Sequence, residues 1–166
     1  MASNTFSFSA LPANVGELQA LAEAEMKTPF QTAALAVAVF CRYENSVDDC
    51  IAMLDYLKGP EPTNNFDKQF IRDRLVGKTY VPRSYFAGTS PSNNYQATAP
   101  YTVTVSDNPY SYTNENYATL WISSSGADNP RQITLRLKPS TGVWYVNDYK
   151  GLLPDIRKPV AEDPWA

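Results

Sequence analysis

The apolar residues of this chain change their spacing once, and that change does most to limit the fold. From Asn14 to Gly77 they recur every three or four residues, as on one face of a helix; from Tyr101 to Val146 they alternate. A stretch with a 3.6-residue period cannot bury its apolar side as a strand, and an alternating stretch cannot do so as a helix. Helices first and strands afterwards predict an α+β fold, with amino-terminal helices packed on a carboxyl-terminal four-stranded antiparallel meander. Parallel βαβ units would alternate the two periods instead. The expected layout is one domain over 1–166: a helical half at about 14–77, a loop at 78–100, a sheet at 101–149 and an extended tail at 150–166.

Start and stop signals divide the helical half. Asn14, with Glu17 three residues on, suits a helix start, and Val15, Leu18, Leu21 and Ala22 form the stripe behind it. Thr28 suits an N-cap and Pro29 the first helical position, where a missing N–H costs nothing. The helix at about 30–42 carries Ala33, Ala34, Leu35, Val37, Val39 and Phe40, with no polar face, and must be central. Ser46 caps a third helix, with Asp48 and Asp49 in its first turn and Val47, Ile51, Leu54 and Leu57 inward; Gly59-Pro60 ends it. A fourth runs from about 66 to 76 with Phe66, Phe70, Ile71 and Leu75 inward.

Residues 78–100 have the Tyr, Ser, Asn, Gly and Pro content of a loop, and a long one. Strands are expected at 101–105, 118–122, 132–137 and 143–146. Residues 5–10 also alternate and fit a short strand added at the amino terminus. Val103, Val105, Leu120, Ile122, Ile133, Leu135, Leu137, Trp144 and Val146 fall on the face that should meet the helices. Thr102, Thr104, Thr119, Trp121, Thr134, Arg136, Lys138, Tyr145, Asn147 and Tyr149 fall on the other.

The chain has no histidine, which removes Ser-His-Asp and Cys-His catalysis and all His-ligated zinc or copper. Cys41 and Cys50 are too few for a zinc site built from four cysteines, lack a CxxC spacing and read as free buried thiols. No catalytic residue, metal site or cofactor is assigned. A net charge of 14 − 17 = −3 argues against a nucleic-acid partner. No glycine-rich phosphate loop occurs. The amino terminus lacks the basic start and apolar stretch of a secretory signal, so a cytoplasmic address is expected. The longest apolar run, 33–41, is too short to cross a bilayer, so no membrane partner is expected either.

Residues 33–59, Val81-Pro82-Arg83-Ser84-Tyr85-Phe86-Ala87-Gly88 with Asn93-Asn94-Tyr95, residues 100–105 and residues 124–128 resemble an uncharacterised bacterial family classed as a domain of unknown function. So does the close, from Trp144 through Leu152-Leu153-Pro154-Asp155-Ile156-Arg157. The family's members are short, non-secreted proteins of gut-type anaerobes. The resemblance covers nearly the whole chain, implies a single small domain and brings no catalytic residue with it. More loosely, the order of elements is similar to NTF2-like and cystatin-like domains.

The remaining candidates are weak on spacing alone. Asp48 and Asp49 read as helix-start charges. Asp107, Asn108, Asn114 and Glu115 match no calcium-loop spacing. Arg72, Arg74, Lys78 and Arg83 form a local basic cluster that reads as a solvated helix face. Tyrosine is more informative, with large contact area, few rotors and a hydroxyl that tolerates partial exposure. Tyr85, Phe86, Tyr95, Tyr110, Tyr112, Trp121, Arg136, Tyr145 and Tyr149 are therefore the candidate binding residues. They imply a non-enzymatic domain that meets an unidentified protein partner or a second copy of itself through the outer sheet face and its loops. Two other readings stay open. The loop folds back so that its aromatics form a second core, or a pocket between sheet and helices takes a small molecule or glycan, or even houses carboxylate catalysis.

Overall fold

The computed structural model describes residues 2–166. Its sheet has five antiparallel strands in the order β1-β2-β3-β4-β5: β1 Ser3–Phe8, β2 Tyr101–Ser106, β3 Tyr117–Ile122, β4 Arg131–Lys138 and β5 Val143–Asp148. The expected α+β architecture is present, including the amino-terminal strand, which starts two residues earlier than its alternation suggested. Lys138 and Val143 flank a tight hairpin. Gly142 takes φ 73°, and both Thr141 N–H and Gly142 N–H donate to Lys138 O.

The helices begin where the capping residues place them. Asn14 accepts from Glu17 N–H at the start of α1, Val15–Gln19. Thr28 and Gln31 form a reciprocal capping box on α2, Pro29–Phe40. Ser46 and Asn64 cap α3, Val47–Lys58, and α4, Asn65–Leu75. Every residue of α2 except Gln31 is buried, so this helix is the centre of the fold, between the sheet and α3. Thr32, its one buried hydroxyl, donates to Trp144 O at 2.8 Å.

In α4 the expected inward face is corrected. Ile71 and Leu75 are buried, but Phe66 is 75% exposed and Phe70 half-buried. Five residues at 100° each put Phe66 about 140° round the helix from Ile71. The apolar stripe of α4 is therefore narrow, and Phe66 lies outside it under the Lys150 ammonium.

Seven of the nine residues expected on the inner sheet face are buried, and Leu137 and Trp144 are half-buried at the β4–β5 end. The sheet is incomplete between β2 and β3, which pair only at Val105 with Ile122 and at Ser106 with Trp121. Loop backbone fills the gap: Ala87 N–H donates to Thr102 O at 2.9 Å and Thr119 N–H to Ser111 O at 3.0 Å.

That insertion carries the long loop into the interior. Tyr80 and Tyr95 stack at 5.4 Å, Tyr85 O–H donates to the Leu152 carbonyl, and Tyr95 O–H donates to Arg157 O at 2.6 Å. The tail, expected to lie extended on the surface, buries Leu152, Leu153 and Ile156 instead and returns Arg157 N–H to Gly126 O at 3.0 Å. Loop and tail lock each other, and the aromatics between them form the second core.

Candidate functional site

The sequence candidates separate into groups. Tyr85, Phe86, Tyr95 and Tyr149 are buried at 4%, 3%, 0% and 1% exposure and contact only the chain itself, so they offer no surface. For the loop residues the cause is the β2–β3 gap. For Tyr149 it is a β-bulge: Leu135 pairs with Val146, but Thr134, one step on, pairs with Asp148, two steps on. The extra residue, Asn147, reverses the alternation and turns Tyr149 inward onto Phe40, with ring centroids 5.4 Å apart. Burial raises the phenols of both Tyr85 and Tyr149 far above their ordinary value.

Arg136 and Tyr145 face each other across β4 and β5 and share a cleft of about 240 Å3 with Lys58, Glu61 and Lys138. Arg136 lies 5.4 Å from the Tyr117 ring centroid and 3.5 Å from Glu61 Oε1. Tyr145 is not free. The turn ending α3 crosses it so closely that a Cβ on Gly59, at φ 64°, would collide with its ring. Tyr110 and Tyr112 are exposed in the β2–β3 connection. Two polar side chains there are occupied: Asp107 accepts from Ala2 N–H at 2.7 Å and Asn108 from Tyr110 N–H at 2.8 Å. The Tyr112 phenol titrates above its ordinary value because burial, then the charge of Asp107, disfavours the phenolate.

The remaining candidate, Trp121, sits on the outer face in a row set by register: Ser3, Ser106, Trp121 and Gln132. This row leads to an element that the sequence reading did not single out, the free edge of the sheet at β1. Three hydroxyl pairs span β1 and β2: Ser3 with Ser106 at 2.8 Å, Thr5 with Thr104 at 2.9 Å and Ser7 with Thr102 at 2.9 Å. Such close side chains are typical of antiparallel partners that do not exchange backbone hydrogen bonds. The backbone agrees. Asp107 N–H donates to Ala2 O, so by alternation the amides of Asn4, Phe6 and Phe8 face β2, while those of Ser3, Thr5 and Ser7 face outward.

Ser3, Thr5 and Ser7 are exposed, and no other backbone group among the described residues pairs with their outward side. The far edge is different. At β5, Trp144 N–H donates to Met26 O at 2.8 Å and its carbonyl accepts from Thr32, so that edge is covered. The alternation of Ser and Thr with Phe showed that residues 5–8 form a strand; nothing in it shows that the strand ends a sheet.

Between sheet and helices the space is filled by apolar side chains, among them Leu35, Val39, Val103, Leu120, Ile133 and Leu135. Among the described residues no helix is long and apolar enough to cross a membrane. No curated protein and no solved structure matches this chain. A family profile described as a domain of unknown function, DUF6935, matches residues 10–160, which leaves β1 just outside the matched span. With nearly the whole chain matched, this protein belongs to the DUF6935 family of domains of unknown function.

Proposed function

We propose that this chain is a non-enzymatic interaction domain whose partner is a second copy of itself, joined edge to edge through β1. The supporting observation is the unblunted strand Ser-Asn-Thr-Phe-Ser-Phe, which presents three consecutive outward backbone sites with no charge, proline or covering element. Exposed edges of this kind template pairing with another chain, and sheets normally disable them. Here only the β5 edge is covered. Because β1 carries no charge, a second copy approaches it antiparallel without like-charge repulsion. With Thr5 at the two-fold axis, Ser3 meets the partner's Ser7 and the two Thr5 residues meet each other, each pair exchanging two backbone hydrogen bonds. Two five-stranded sheets then become one continuous sheet. The outer face with Trp121 flanks the seam. A cytoplasmic address belongs to the same reading, supported by two cysteines left free.

Replacing Thr5 with proline tests this. The Thr5 N–H points away from β2, so proline removes an outward donor and leaves the internal ladder intact. Light scattering across a concentration series is expected to give a dimer for the parent chain and a monomer for Thr5→Pro, with matching circular dichroism. A parent chain that stays monomeric to millimolar concentration overturns the proposal.

A further inference from the structure

A second, independent observation concerns Arg42, in the turn between α2 and α3. Its Nε is shut off from solvent and has no hydrogen-bond partner. Among the described residues no carboxylate lies within 4.0 Å of its guanidinium. The nearby acid, Glu44, is occupied by Arg83 at 2.9 Å. Arg83 is held on the chain's own backbone as well, donating from Nε to Tyr95 O at 3.1 Å and from Nη1 to Thr79 O at 3.3 Å. The two arginines and Glu44 line one niche of about 220 Å3, whose other walls include Leu11, Pro12, Ala97 and Tyr101. The niche therefore holds one neutralised ion pair, one guanidinium without a counter-ion, and an apolar wall facing them. The Nε is closed off within the chain, so the donors that Arg42 can offer the niche are its two Nη amino groups, which make no ion pair among the described residues.

We propose that this niche binds a small monocarboxylate, its carboxylate on the Arg42 fork and its apolar body against Leu11, Pro12 and Ala97. The planar guanidinium matches a carboxylate with two parallel hydrogen bonds. Glu44 and Arg83 cancel, so the niche offers a single net positive charge and favours one negative charge over two. Its volume corresponds to about seven waters at roughly 30 Å3 each, room for a compact acid but not for a nucleotide.

The test uses the intact chain and benzoate, with benzamide as the uncharged counterpart and inorganic phosphate as the competing oxyanion, at constant ionic strength. The readout is the 15N shift of the Arg42 Nε–Hε resonance, assigned by its loss in Arg42→Gln. Benzoate is expected to shift it saturably, benzamide not at all and phosphate at least tenfold more weakly. Isothermal titration is expected to show at least a tenfold loss of benzoate affinity in both Arg42→Gln and Arg42→Lys. The lysine variant keeps the charge without the fork and guards against a folding defect in the glutamine variant. Equal response to benzamide, equal or stronger response to phosphate, undiminished benzoate binding in either variant, or no response to 10 mM benzoate each overturns the proposal. None of these outcomes bears on the β1 edge, which lies on a different element.

Discussion

Two buried tyrosines should answer one substitution with different costs. Tyr85 and Tyr149 are 4% and 1% exposed, and each loses only its hydroxyl on mutation to phenylalanine. The Tyr85 O–H donates to the Leu152 carbonyl, which is itself interior; the Tyr149 O–H has no partner. Deleting the first strands a buried acceptor, at a cost of about 1–3 kcal/mol. Deleting the second removes a polar atom that was desolvated without compensation. That change is expected to fall within ~0.5 kcal/mol of neutral or on the stabilising side. For a chain of this size about 1 kcal/mol moves Tm by roughly 2–4 °C. Taking the middle of the range, Tyr85→Phe should lower Tm by about 4–8 °C and Tyr149→Phe should leave it unchanged or raise it. Urea melts at pH 7, where both phenols are neutral, should order the midpoints the same way with a common slope. If the two substitutions cost the same, or Tyr149→Phe costs more, the account of which hydroxyl anchors the loop against the tail is wrong.

Other outcomes follow from the same core. A Cβ on Gly126 would sit 2.6 Å from Ile156 Cγ2 and collide with the Tyr95 hydroxyl, so Gly126→Ala should cost about 1–3 kcal/mol, measurable by chemical denaturation. At Gly88 nothing lies within 4 Å, so Gly88→Ala should cost only the roughly 1–2 kcal/mol of a side chain at its positive φ of 82°. Burial first, then the neighbouring phenol of Tyr80, pushes Tyr95 up to about 12, and burial pushes Cys50 up to about 12 from 9.0. Both groups hold their protons more tightly when folded. Their contribution is complete below the unfolded values and is lost as pH rises towards 12, so Tyr95→Phe should flatten the decline in stability between pH 10 and 12. At pH 8 a thiol with a pKa of about 12 is about one part in ten thousand thiolate. Cys50 should therefore react with a disulfide reagent only as fast as the chain opens, and at the free-thiol rate in denaturant.

What the residues announced in advance was whatever depends on local spacing. The caps at Asn14, Thr28 and Ser46, the all-apolar α2 and the glycine at the β4–β5 turn each act within a few positions of themselves, and each sits where expected. The misplacements share a non-local cause. Tyr149 changes faces because one extra residue enters β5 against β4, and no alternation pattern reveals which strand holds a bulge. Tyr85, Phe86 and Tyr95 are interior because β2 and β3 part after two residue pairs, leaving a gap that only loop backbone fills. The β1 edge escaped notice for a related reason. Its composition reads as a strand in any position, and its exposure depends on strand order.

The claim that β1 pairs with its own copy is tested most directly by amide exchange followed residue by residue at two protein concentrations. The amides of Asn4, Phe6 and Phe8 point into β2 and should exchange slowly at both. Those of Ser3, Thr5 and Ser7 point outward and should exchange freely in dilute solution, then slow together as the concentration rises. Free exchange of these three amides at concentrations where the chain is already a dimer would place the interface elsewhere and contradict the account.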